Sequence, residues 1–224
     1  MILYHRLEKS NLDLVMSPRP RKVTDDQLFA ATHAVMNRVG PGELTLAAIA
    51  EEAGVSAGLL VQRFGSKREL LLALAERFAG GAGGMIAALA GQHRSPLAAL
   101  RAYAECMAGM AASPAALARS LAYLQIDLTD PDFRRLLQRQ AIATRKAVTG
   151  LVKAAVDSGE LRPETQPDLL ARTIETVISG SLLTWAFHQK GRANDWMRAD
   201  LDAVLRPWLS LTRVPAVRTR KPRR

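Results

Sequence analysis

The stretch TLAAIAEEAGVSAGLLVQRF, from Thr45 to Phe64, holds two short apolar runs of helical period separated by Gly54-Val55-Ser56. Thr45 and Ser56 each stand one residue ahead of a run, where a side-chain hydroxyl can accept an orphan amide of the first helical turn. Gly54 offers the positive φ with which a chain reverses between two helices joined by a turn of about three residues. The spacing therefore predicts two short helices at an angle. Ala50 is small where the second helix crosses the first, and Leu60 packs back on Ile49 to fix the crossing. The other face of the second helix, from Ser56 to Arg63, is left free.

Outward from this stretch, further start signals divide the chain into about nine helical segments. Thr24-Asp25-Asp26-Gln27 and Ser66-Lys67-Arg68-Glu69 have the form of capping boxes. Ser95-Pro96, Ser113-Pro114 and Asp130-Pro131 place a cap oxygen before a proline suited to the first helical position, and Asn194 is a further cap candidate. Gly40, Gly54, Gly65, Gly159 and Gly191 are suited to helix ends. Between them the apolar residues follow the helical period, as in Leu28, Ala31, Val35 and Val39, or Leu117, Leu121, Leu124 and Leu128. No strand pattern of similar strength occurs. The expectation is an all-α chain with a three-helix unit at 23–70 and a larger helical body at 71–212. A flexible basic leader (1–22) and a disordered basic tail (213–224) flank them. Gly80, Gly81, Gly83 and Gly84 fall in the middle of the helix begun at Ser66, which predicts either a bend or close packing against a neighbour.

Composition agrees. Of 224 residues 48% are apolar and only 5% aromatic, which favours helices packed at close range, and the formal charge of +10 favours polyanionic partners. The single cysteine, Cys106, excludes an internal disulfide and fits a reducing cytoplasm. Charged residues interrupt the first twenty positions, so no export signal is expected, and they recur often enough that no membrane span is expected. His5, His33, His93 and His188 are dispersed, which argues against a metal site, and no phosphate loop or nucleophile motif suggests a cofactor or an enzyme.

From Asp26 to Phe78 the sequence resembles the TetR family. The resemblance rests on the Leu28–Gly40 helix, Thr45 with the run behind it, Gly54-Val55-Ser56, Gly58, Phe64, and Ser66-Lys67 followed by Glu69-Leu70-Leu71. It implies a helix-turn-helix head that binds double-stranded DNA. Thr45 and Lys67 would contact phosphates at helix N-termini, and Ser56 to Arg63 would lie in the major groove. Ala57, Leu59 and Gln62 would come nearest the base edges, with Gln62 able to bridge an adenine and Arg63 adding a polar contact. One departure stands out: where the family usually has a tyrosine or similar phosphate-contacting residue, this chain has Val61, so readout should lean on thymine methyls. Arg19, Arg21 and Lys22 could supply backbone or minor-groove contacts. The resemblance further implies a homodimer on a near-palindromic operator, acting as a repressor released by a small-molecule effector. A constitutive architectural DNA binder is the alternative.

In the body, Tyr103, Cys106, Met107, Met110, Tyr123 and Asp127 could line an effector pocket or simply pack a core. Asp127 could cap the next helix or bind a cationic or hydroxylated ligand. For dimerisation the stripe Ile174, Ile178, Ser181, Leu182 and Trp185, with Val177, Gly180 and Thr184 on the neighbouring one and Leu205 and Trp208 adding bulk, is expected to meet a partner. A buried internal helix pair is the other reading and does not exclude the dimer. The helix begun at Ser66 joins head to body and is the expected lever between them.

Overall fold

Side-chain caps set the starts of the first seven helices. The computed structural model describes residues 23–210, so the leader with Arg19, Arg21 and Lys22, and the basic tail, lie outside the described residues. Thr24 and Gln27 close a reciprocal capping box at the head of α1 (Asp25–Arg38). Thr45 and Ser56 cap α2 (Leu46–Ala53) and α3 (Ala57–Phe64). Ser66, Ser95, Ser113 and Asp130 cap α4 (Lys67–Gln92), α5 (Pro96–Gly109), α6 (Pro114–Thr129) and α7 (Pro131–Asp157). Then come α8 (Pro167–His188), α9 (Ala193–Leu205) and a short 3-10 turn at Arg206–Trp208. Among the described residues there are nine α-helices and, in place of a strand, one isolated bridge between Leu161 and Leu209.

Several local expectations are corrected. Asn194 lies inside α9, whose cap position is Arg192 without a side-chain bond. Gly40 does not end α1. Val39 does, in an extended conformation, whereas Gly54, Gly65, Gly159 and Gly191 have the positive φ expected of helix ends. At α4 only half of the capping box forms: Ser66 accepts from the Glu69 amide, while the Glu69 carboxylate lies against Gly65. In α6 the leucine stripe is not the core face, since Leu121 and Leu128 are exposed and Tyr123 is the buried residue. Among the described residues α4 is the one helix long and apolar enough to cross a membrane, contrary to expectation, because Glu76 and Arg77 are too few charges to break its apolar run. Along this helix Leu70, Leu74, Ala79 and Ile86 are buried, while Phe78 is exposed.

Two cores form. The head core gathers Leu28, Val35, Leu44, Ile49, Ala50, Leu60 and Leu70. Ile49 and Leu60 are fully buried together, the contact that fixes the angle between α2 and α3. Tyr123 joins this core although it lies on α6. The body core draws Leu100, Val148, Val152, Ile174, Met197 and Leu201 from α5, α7, α8 and α9. The backbone of α4 stays helical through its glycines, and a Cβ built at Gly80, Gly81, Gly83 or Gly84 meets nothing within 4 Å. Close packing therefore does not require glycine there.

Candidate nucleic-acid interface and effector site

The N-terminus of α3 is built by Ser56, whose hydroxyl accepts the Leu59 amide at 3.3 Å. Thr45 does the same for α2, accepting from Ala48 at 3.1 Å. With Leu60 pinned in the core, α3 exposes Ser56, Gly58, Val61, Gln62 and Arg63. Val61 is 48% exposed, an apolar group held in water on the face the sequence left free. Ala57 and Leu59 are half-buried against the head core.

The cations of this face are engaged within the chain. Arg63 turns back on the start of α1, pairing with Asp25 at 2.7 Å and donating to the Val23 carbonyl at 2.6 Å. In the free chain its nearest acceptors therefore belong to the head itself. Lys67 donates to the Leu44 carbonyl at 2.9 Å and reaches Pro41 at 3.5 Å. Its ammonium clamps the loop that delivers Thr45, because that loop turns carbonyls toward the start of α4. Arg38 pairs with Glu52 at 2.6 Å. The bond from Arg63 to Val23 puts the first described residue beside the C-terminal end of α3.

The six residues expected to line one pocket separate into two sets. Met110, Tyr123 and Asp127 line a cavity of about 250 Å³ between α1, α4, α6 and α7. Tyr103 is buried in the body core, where burial first, and the charges of Glu175 and Cys106 second, push its phenol up to about 12. Met107 packs against that core, and Cys106 is exposed with its Sγ 3.9 Å from the Met85 Sδ. These three are therefore not part of the cavity. Nor does Asp127 cap α7: Asp130 does, accepting the Asp132 amide at 2.9 Å. Asp130 also pairs with Arg68, whose hydrogen bond holds its carboxyl below the usual range.

The expected dimer stripe is likewise corrected. Ile174, Ile178, Ser181, Trp185 and Leu205 are buried within one chain. Ser181 donates to Asp200 of α9 at 2.6 Å, and the Trp185 indole donates to the Gly191 carbonyl at 3.1 Å, so this face of α8 is fastened to its own neighbour. Leu182 and Trp208 are half-buried against the same core. The outward face of α8 carries Leu169, Thr173, Thr176, Gly180, Thr184 and Phe187, of which Leu169 is 55% and Phe187 80% exposed. Thr173, Thr176 and Thr184 each donate to the carbonyl four residues back, leaving their methyl groups outermost. Beside this face a groove of about 310 Å³ runs along Leu169, Thr173, Val204, Pro207 and Trp208.

Residues 28–74 match the family model for bacterial regulatory proteins of the tetR family. Residues 96–207 match the model described as BetI-type transcriptional repressor, C-terminal. No curated protein matches the sequence. Among solved structures the fold is similar to SmeT, the repressor of the Stenotrophomonas maltophilia multidrug efflux pump SmeDEF. The TM-score is 0.63 and the identity 20%, over 90% of this chain and 98% of that one. A TetR transcription regulator from Haloarcula marismortui gives a TM-score of 0.65 at 17% identity, over 83% of this chain and 98% of that one. FadR from Bacillus subtilis, in complex with stearoyl-CoA, gives 0.62 at 18% identity, over 81% and 97%. At these identities the structures speak for the fold. The head and the body are each matched by a family model, and the chain belongs to the TetR family of DNA-binding transcription regulators.

Proposed function

We propose that the protein is a cytoplasmic homodimeric repressor that holds a near-palindromic operator and leaves it when a small molecule binds the body. The observation that carries this reading is the exposed α3 face of Ser56, Gly58, Val61 and Gln62 on a head with its own core. Gln62 has no partner among the described residues and supplies the polar reading of a base, while Val61 meets a thymine methyl. The capped N-termini of α2 and α4 favour phosphates on either side. One head reads few base pairs, so two heads related by a two-fold axis are needed for a specific site.

The second copy fits the outward face of α8. Its threonine methyls and Gly180 allow a partner helix to approach closely, and Leu169, Phe187 and the groove at Val204 and Trp208 provide apolar area. Selection of random duplexes by the purified full chain tests the reading, with light scattering to count subunits. The expected result is an enriched two-fold sequence bound by a dimer. Uniform, strongly salt-dependent binding with no enriched sequence would leave an architectural DNA binder instead.

A further inference from the structure

Asp127 stands on α6 one turn after Tyr123, half-buried in the cavity between head and body. Among the described residues its carboxylate has neither a hydrogen bond nor an ion pair. The arginines nearby are committed elsewhere: Arg68 to Asp130 and Asp132, Arg77 to Asp26, and Arg139 to Glu76. Arg119 donates to the Asn37 carbonyl at 2.8 Å. An acid left unpaired in a partly dry site is costly, and burial indeed pushes this carboxyl above its ordinary range.

The surroundings suit one class of guest. Phe78, Tyr123 and Phe133 line the cavity with Met36 and Met110, and no lysine or arginine does. Aromatic faces attract cations, and a lone carboxylate repels anions. The His33 ring, its Nδ1 3.4 Å from the Asn37 side-chain nitrogen, packs 5.8 Å from the Phe78 ring on the wall of the cavity. Phe78 and Met110 are 45% and 59% exposed and form the mouth. A volume of about 250 Å³ holds a guest of about eight non-hydrogen atoms, taking roughly 30 Å³ for each as for liquid water.

We propose that this cavity is the effector site and that its ligand is a small organic monocation, an amine whose charge pairs with Asp127 while its apolar part lies among Phe78, Tyr123 and Phe133. The assignment rests on the regulator reading above and adds to it the class of effector and its point of action. His33, Met36 and Asn37 belong to α1, so the guest touches the DNA-binding head itself. Seating it between α1 and α6 shifts the head relative to the body, and with it the spacing of the two α3 helices.

The test uses the full-length protein with phenethylammonium, its neutral isostere 2-phenylethanol, and phenylacetate, followed by ligand-observed NMR and by operator titration. Phenethylammonium should bind at least ten-fold more tightly than the alcohol, phenylacetate should not compete, and operator affinity should fall at least five-fold with the ammonium bound. Asp127→Asn should erase the preference for the cation, and Asp127→Glu should keep it. Equal binding of the ammonium and the alcohol by the wild type overturns the proposal, and needs no variant to fold. So does binding of none of the three, or a preference that survives Asp127→Asn. Binding without loss of operator affinity overturns the action through α1. Failure of the ligand-free wild type to select any operator is a different result and strikes the regulator reading itself.

Discussion

The phenol of Tyr123 on α6 donates to the backbone carbonyl of Val39 at the end of α1, 3.2 Å away. Val39 is the C-cap of α1, and the last carbonyls of a helix have no partner within it. Arg119, one turn earlier on α6, serves the Asn37 carbonyl in the same way. The body thus closes the C-terminus of the first head helix, and α6 shares with α4 the work of joining the two units. Tyr123→Phe should cost about 1 kcal/mol in denaturant unfolding and speed amide exchange in the last turn of α1. Unchanged exchange there would mean that the bond does not hold the head.

Gln62 and Lys67 should behave differently from each other. Gln62→Ala should relax preference at a single base position at a cost of about 1 to 3 kcal/mol, with the melting temperature unchanged because the side chain is exposed. Lys67→Met frees the Leu44 and Pro41 carbonyls and should lower both stability and affinity for every sequence. Parallel titrations on operator and random duplex, with a thermal melt of each variant, separate the two patterns.

For the dimer, Leu169→Asp with Phe187→Asp should yield a folded monomer in light scattering, since both residues are exposed in the single chain. Ile178→Asp should instead lose helical circular dichroism, because Ile178 lies in the body core and an unpaired buried charge is strongly destabilising. A dimer that survives the first pair of changes would move the interface off this face.

Gly81→Ala and Gly84→Ala meet open space, so each should raise helix stability by about 1 kcal/mol. A higher melting temperature for the double variant, with operator affinity changed, would identify the stretch as a hinge. A lower melting temperature would contradict the open geometry.

Alkali should find Tyr103. Its folded phenol is pushed up to about 12, above an unfolded value near 10, so the unfolded chain gives up its proton first. Stability from this group is therefore intact below about pH 10 and falls as pH rises toward about 12, by roughly 2 to 3 kcal/mol. Tyr103→Phe should flatten that part of the curve of unfolding free energy against pH. An unchanged slope would mean that the phenol ionises without leaving its burial.

The sequence alone determined the starts of α1 to α7 and the turn of the head. Thr24, Thr45, Ser56, Ser66, Ser95 and Ser113 each cap an amide three residues on, and Gly54 takes the left-handed conformation its place demands. Such bonds close within one turn, so residue type and spacing suffice to specify them. The family likeness of the head is legible for the same reason. Tertiary structure decided the rest, because it depends on residues far apart in the chain. That Arg63 meets Asp25 and Lys67 meets the Leu44 carbonyl depends on how α1 and its loop pack beside α3 and α4. Helix α8 is apolar on more than one side, so its own period could not choose the buried stripe. Asp200 and Gly191, reaching Ser181 and Trp185 from α9 and the turn before it, chose it. Asp127 was left without a partner among the described residues when Asp130 took the cap of α7 and the arginines Arg68, Arg77 and Arg139 closed on other acids.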